Sequence, residues 1–251
     1  FSQDAFLFSL PVIQGEGAHP PADACNFARF CSSLDFFSIT DHAEGLTKEM
    51  WEDTIKSIKN FALKKKIPFF KFKKIKSDFA FKKINSFKTD ILVSMSYDQI
   101  FDKRIINMNR YPPVNCHAGM LPKYRGRNVI NWAIINGEKE LGITVHFIDN
   151  KIDTGKIVSQ KKIKIFKNDD YNTLLNKCYK ECPNLLISSL IKIYKKPKLK
   201  IISQKKLGRG FYCKKRVKGD EIIDFNNKKK YLNNFIRALT FPGPNAQFKK
   251  G

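Results

Sequence analysis

Between residues 90 and 158 the chain alternates short apolar runs with a helix-period stretch, and the runs end in polar residues that no core would select. Asp90-Ile91-Leu92-Val93-Ser94-Met95-Ser96-Tyr97 reads as a buried parallel strand. Residues 97–108 then place Ile100, Phe101, Ile105 and Ile106 at helical spacing. Val114-Asn115-Cys116-His117 follows as the next strand, 143–148 as another, and Lys156-Ile157-Val158 leaves a turn at Thr154-Gly155. Strand, helix, strand is the repeating unit of a doubly wound α/β fold with a mostly parallel sheet. A chain of 251 residues has room for one large or two small domains of this kind.

The polar residues at the strand ends carry chemistry. Along a strand, positions i and i+2 face the same side, so Asn115 and His117 project together. They do so at the carboxyl end of a strand, where open α/β sheets bind ligands. Asp153 reaches them by the loop after strand 143–148. An amide and a protonated imidazole can donate hydrogen bonds to a developing oxyanion, at about 3 kcal/mol per donor. A carboxylate can orient the imidazole and accept a proton. Singly, each residue has a plainer reading: Asn115 satisfies a turn, His117 is a capped core histidine, and Asp153 stabilises its own Asp-Thr-Gly turn. His146, on an alternating strand, reads as supporting or structural.

The ordered blocks Asn115-Cys116-His117, Leu121-Pro122-Lys123-Tyr124-Arg125-Gly126, Gly142-Ile143-Thr144-Val145-His146-Phe147 and Asp153-Thr154-Gly155 resemble the 10-formyltetrahydrofolate-dependent formyltransferases of one-carbon metabolism. The resemblance implies a Rossmann-like sheet, with Asn115, His117 and Asp153 as the catalytic set and neither metal nor covalent intermediate. It implies 10-formyltetrahydrofolate as formyl donor, held mostly by main chain around Met95, Tyr97, Gln99, Leu121, Ile148, Asp149 and Asn150. The acceptor implied is a small-molecule primary amine, first that of a nucleotide-linked amino sugar. Formylation of methionyl-tRNA is the alternative, as is an inactive hybrid or folate-binding module. Gly219 to Phe225 and Phe235 to Pro242 resemble the family's link to a carboxyl-terminal domain, of which this chain would hold only a truncated start.

Composition breaks near residue 56. Residues 1–56 hold nine acidic and three basic residues, a net charge of −6, whereas the whole chain carries +24. The division expected is an atypical segment at 1–57, a catalytic domain at 58–200 and a linker with the start of a further domain at 201–251. Leu34-Asp-Phe-Phe-Ser-Ile-Thr-Asp-His42 resembles an uncharacterised family related to the polymerase-and-histidinol-phosphatase metallohydrolases, which implies metal ligands at Asp41 and His42. A metal centre needs three or four converging ligands, so these two alone read as a residual strand end. Within 1–70, a helix from His19-Pro20-Pro21, a strand at 34–40, a helix from Thr47 to about Lys65 and a strand at 67–70 are expected. Further on, Asp169-Asp170 caps a long helix bent at Pro183.

The basic excess suits an anionic partner, but Lys outnumbers Arg 39 to 8. Dedicated nucleic-acid sites lean on bidentate Arg, so a nucleotide-bearing small substrate fits the field better than an RNA surface does. Six cysteines show no CxxC pair. Cys178 and Cys182 share a helix face, where idle buried thiols are favoured over a zinc pair. A reducing cytoplasmic compartment follows. No apolar run is long enough to span a membrane, and no signal peptide is visible at Phe1.

Overall fold

The computed structural model describes residues 12–13, 56, 59–60, 62–64 and 66–248, apart from 96, 98, 196–198 and 242. The elements expected at 19–40, the Thr47 cap, Asp41 and His42 lie outside these residues. Strand β1 (Val12–Ile13) pairs in parallel with β2 (Phe69–Phe70). Of the strand expected at 67–70 only its second half forms, because Pro68 has no N–H to give a ladder.

The sheet that matters contains β3 (Val93–Met95) and β4 (Val114–His117), which are parallel. They are joined through helices-side residues that include the short helix α2 (Lys103–Asn107), preceded in the chain by α1 (Asp78–Asn85). The helix expected over 97–108 is therefore shorter. The Asp102 carboxylate accepts the Arg104 N–H at 2.8 Å and caps the helix there, leaving Ile100 outside it.

Beyond β5 (Arg125–Gly126) and helix α3 (Val129–Ile135) come β6 (Glu140–Phe147) and β7 (Ile157–Lys164). The strand order is β3-β4-β6-β7, and β6 is antiparallel to both of its neighbours. The α/β class holds, but among the described residues this sheet is mixed where a mostly parallel one was expected. The reason lies in the connection: residues 148–156 hold no helix, and parallel pairing of β6 with β7 needs a crossover of a dozen or more residues.

Alternation sorts the strand residues between two faces. Val114 and Cys116 of β4, with Ile143 and Val145 of β6, enter the main core. Helix α4 (Tyr171–Lys195) closes that core with Leu174, Cys178, Cys182, Leu186 and Leu190, a stripe of period four. Each such leucine stabilises the fold by about 1.5–3 kcal/mol. The helix starts where expected, since Asp170 Oδ1 accepts the Thr173 N–H at 2.8 Å, and it continues through Pro183. Cys178 and Cys182 are buried in it; burial pushes the Cys178 thiol up, and the Cys116 thiol together with burial pushes up that of Cys182.

After a 3-10 turn (Gln204–Leu207), β8 (Tyr212–Cys213) pairs in parallel with β5, and helix α5 (Lys229–Ala238) follows. Phe235, Ala238 and Leu239 enter the main core, and Asn131 Nδ2 donates to the Ala238 carbonyl at 2.7 Å. Residues beyond 200 thus share the core of the segment before them. Among the described residues no helix is long and apolar enough to cross a membrane.

Candidate active site

The other face of the sheet carries polar residues in cross-strand rows. Asn115 lies opposite His146, and His117 opposite Thr144, which in turn lies opposite Gln160 of β7. Thr144 and His146 are almost fully buried, an environment that polar side chains accept only when partnered. Gln160 Nε2 donates to Thr144 Oγ1 at 2.9 Å and to the Leu121 carbonyl at 2.8 Å. Thr144 Oγ1 donates to the Gly119 carbonyl at 2.7 Å. This row anchors the loop that leaves β4, including the cis Leu121–Pro122 bond, against the sheet.

Asn115, His117 and Asp153 come together at this face. Asn115 Nδ2 lies 3.4 Å from Asp153 Oδ1, and His117 Nδ1 lies 3.7 Å from Asp153 Oδ2. His146 joins them, with Nε2 3.4 Å from Asp153 Oδ1 and 3.3 Å from Asn115 Nδ2. A register shift between Val145 and His146 is the local irregularity in β6, and bulges of this kind re-aim side chains beside functional sites.

The hydrogen-bond inventory constrains the imidazoles. His117 Nε2 lies 2.6 Å from the Tyr124 carbonyl, so that nitrogen carries a proton. The ring is thus flanked by two acceptors, the Tyr124 carbonyl and the Asp153 carboxylate. Nδ1, at 3.7 Å, is beyond a direct hydrogen bond and keeps capacity for a substrate oxygen. His146 Nδ1 donates to the Phe147 carbonyl at 2.8 Å, which leaves Nε2 to accept from Asn115 when neutral or to donate to Asp153 when charged.

Asp153 is the electrostatic centre of the site. Burial alone would push its carboxyl up. Charge on His117, the hydrogen bond and charge of His146, and the Gly126 N–H at 2.9 Å outweigh burial and hold it below the usual carboxylate range. Its backbone is left-handed, with φ of 52°, a conformation that carries strain in a non-glycine residue. Gly119 fits close beside the histidine: a Cβ there would lie 2.4 Å from the Tyr124 carbonyl oxygen and 2.5 Å from His117 Nε2.

The seven positions expected around the donor are less concentrated. Met95, Tyr97 and Gln99 leave the sheet at the carboxyl end of β4, because β3 is parallel to it; Ile148, Asp149 and Asn150 leave at the opposite end, because β6 is antiparallel. Tyr97 stacks on Phe101 at 4.9 Å. The Gln99 side chain is spent on the 72–75 loop, accepting from Ile75 N at 2.8 Å. Leu121 is buried, its N–H donating to Thr144 and its carbonyl accepting from Gln160. Ile148 N donates to the Pro113 carbonyl, and Asp149 Oδ1 accepts from Thr154 Oγ1 at 2.6 Å, while Asn150 is exposed.

Four contributors escaped the sequence reading as working residues. The Tyr124 carbonyl and the Gly126 N–H act through main chain, which leaves no side-chain signal. Arg125 Nε donates to the Asp153 carbonyl at 3.1 Å. Gln204, nearly fully buried, donates to the Asp153 carbonyl at 2.9 Å and to the Gly155 carbonyl at 2.8 Å. Nothing in the run Ser203-Gln204-Lys205-Lys206 marks it beforehand.

A family model described as formyl transferase matches residues 35–190, and so reaches back beyond residue 58, where the likeness was expected to begin. The methionyl-tRNA formyltransferase of Thermodesulfovibrio yellowstonii is 36% identical over 190 residues, covering 75% of this chain and 60% of that protein. The bifunctional polymyxin resistance protein ArnA of Wigglesworthia glossinidia brevipalpis is 36% identical over 190 residues, covering 76% of this chain and 29% of that protein. This chain therefore spans less than two thirds of either relative. In fold it is similar to the N-formyltransferase of Helicobacter canadensis, solved with folinic acid and dTDP-3-aminofucose, at a TM-score of 0.65 and 21% identity over 92% of this chain and 80% of that one.

Proposed function

The chain belongs to the formyl transferase family, and from that premise we propose that it moves a formyl group from 10-formyltetrahydrofolate to a primary amine. The observation that carries this reading is the meeting of Asn115, His117 and Asp153 on one polar sheet face, with the carboxylate held ionised. That set fits an acyl donor, because hydrogen-bond donors and a proton acceptor flank one point.

In the reaction the amine nitrogen attacks the formyl carbon, and negative charge grows on the formyl oxygen. The Asn115 amide and, in its doubly protonated form, His117 through Nδ1 are the donors for that oxygen. Asp153 orients the imidazole and accepts the proton that the amine loses, directly or through water. The bond to N10 then breaks, N10 takes up a proton and the formamide leaves. Main chain at 95–99 and 148–150, together with the Leu121 loop, is assigned to the folate. Asp41 and His42, which lie within the stretch matched by the formyl transferase model, are assigned no part in the chemistry, which we place in the cytoplasm.

The acceptor proposed first is a nucleotide-linked amino sugar. It is supported by the likeness in fold to an N-formyltransferase solved with dTDP-3-aminofucose and by a basic chain that would attract a nucleotide diphosphate. Methionyl-tRNA is the second reading, favoured by 36% identity to an enzyme of that name. The test incubates the purified chain with 10-formyltetrahydrofolate and, separately, dTDP- and UDP-linked amino sugars and methionyl-tRNA, following tetrahydrofolate release and formamide by mass. Product with an amino sugar only supports the first reading, and with methionyl-tRNA only the second. Folate binding with no product from any acceptor would make the chain a folate-binding module instead.

A further inference from the structure

We propose that Gln204, locked by Arg125, is a positioning residue: it holds the strained Asp153 backbone so that the carboxylate faces His117 and Asn115. The inference deepens the formyl-transfer reading and rests on Asp153 being the reaction's carboxylate.

The geometry begins at β7. Ile157 and Ile202 exchange both backbone hydrogen bonds, N to O at 2.8 Å and 3.0 Å, which sets the chain after α4 beside the Asp-Thr-Gly turn. Two residues later Gln204 turns inward and is nearly fully buried. Both halves of its amide are used. Nε2 donates to the carbonyls of Asp153 and Gly155 at 2.9 Å and 2.8 Å, on either side of Thr154. Oε1 accepts from Arg125 Nε at 3.1 Å and from its NH2 nitrogen at 2.6 Å. Arg125 fixes which way the amide faces, since its guanidinium donates only. Arg125 Nε also reaches the Asp153 carbonyl at 3.1 Å, and the next residue, Gly126, gives its N–H to Asp153 Oδ2 at 2.9 Å.

Asp153 is thus held at both ends, its carbonyl by Gln204 and Arg125 and its carboxylate by Gly126. A left-handed aspartate is otherwise free to relax to ordinary backbone angles, and that rotation would carry the carboxylate away from His117. The clamp is assembled from segments far apart in the chain, one before Asp153 and one after α4, so the residues after position 200 become part of the site's scaffold.

Gln204→Glu tests this with little change of volume. It keeps acceptors for Arg125 but removes the two donors to the turn. A shift of the carboxylate by about 1 Å costs up to roughly 100-fold in rate. The expected result is a kcat at least tenfold lower, with the KM for 10-formyltetrahydrofolate within twofold of the parent. Carboxyl 13C NMR supplies a second readout independent of turnover, with the Asp153 signal identified by its loss in Asp153→Asn. In the parent that carboxyl stays ionised through the range in which ordinary aspartates titrate, about 3.9; in Gln204→Met, which removes the two donors without adding a charge that would itself raise a neighbouring carboxyl, its titration moves up toward that range. Arg125→Lys, which keeps the charge but cannot grip both oxygens, should move both readouts in the same direction and serves if the first variant does not fold. Parental kcat, or an unmoved Asp153 titration in a folded variant, overturns the proposal. If the parent transfers formyl to no acceptor, the formyl-transfer reading fails alone, and the Asp153 titration still decides whether Gln204 positions the carboxylate.

Discussion

Replacing Asp153 by Asn removes one charge and almost nothing else, so its cost can be worked from the structure. The carboxylate lies 3.7 Å from His117 Nδ1, and both side chains are about nine-tenths buried. At an effective dielectric of about 20, a full charge pair at that distance interacts by about 4–5 kcal/mol. The burial cost of the carboxylate vanishes with it, which leaves a net loss nearer 2–4 kcal/mol. If that difference is felt in the transition state, kcat falls by roughly 30- to 1,000-fold, at 1.36 kcal/mol per tenfold. Asn bears left-handed backbone about as Asp does, and its amide oxygen can still accept the Gly126 N–H while its NH2 meets the His146 Nε2 lone pair. Its melting temperature should therefore fall by only a few degrees. The assay is steady-state formyl transfer to whichever acceptor the parent chain formylates, beside thermal unfolding by circular dichroism. A folded Asp153→Asn protein with kcat within threefold of the parent would refute the electrostatic reasoning.

Other outcomes follow from the same geometry. Gly119→Ala forces a Cβ against the Tyr124 carbonyl and His117 Nε2, so it should break their hydrogen bond and cut kcat at least tenfold; crystallography of the variant would show the loop displaced. Because the folded Asp153 carboxyl titrates below its ordinary 3.8, it stabilises the fold fully above that pH and loses this contribution as pH falls further, toward the folded value. The stability gap between the parent and Asp153→Asn, from urea melts, should accordingly be flat from pH 7 to 5 and narrow below about pH 4. If the charge of +24 is a diffuse excess of lysine, generic RNA should bind weakly and be released by a few hundred millimolar salt in filter-binding assays; salt-resistant binding would point to a built RNA site.

The parts of the site that were legible are those carried by side chains on a strand of period two. Asn115 and His117 could be placed on one face because alternation alone dictates it, and the Asp-Thr-Gly turn announced a carboxylate on the following loop. Helix α4 was equally plain, with an acidic cap and an apolar stripe in its own residues. Strand direction was not legible: β7 reads the same whether it runs with β6 or against it, and the antiparallel choice there is made by the helix-free connection 148–156. His146 could be placed on a strand, but its approach to Asp153 depends on a bulge that pattern does not reveal. Gln204 was invisible because its partners are main-chain carbonyls and an arginine 79 residues away. The expected helix over 97–108 overran its true start because the apolar spacing of Ile100 and Phe101 masked the Asp102 cap.

The most direct measurement is single-turnover formyl transfer by the purified parent chain and by His117→Gln, which keeps an amide donor for the Tyr124 carbonyl while removing the imidazole. Enzyme in excess is mixed with 10-formyltetrahydrofolate and the acceptor, and formamide is followed by rapid quench, with folinic acid affinity measured alongside. The account predicts transfer at least 10²-fold slower in His117→Gln at nearly parental folinic acid affinity, the scale for losing an oxyanion donor. Transfer at the parental rate by a folded His117→Gln protein would contradict it.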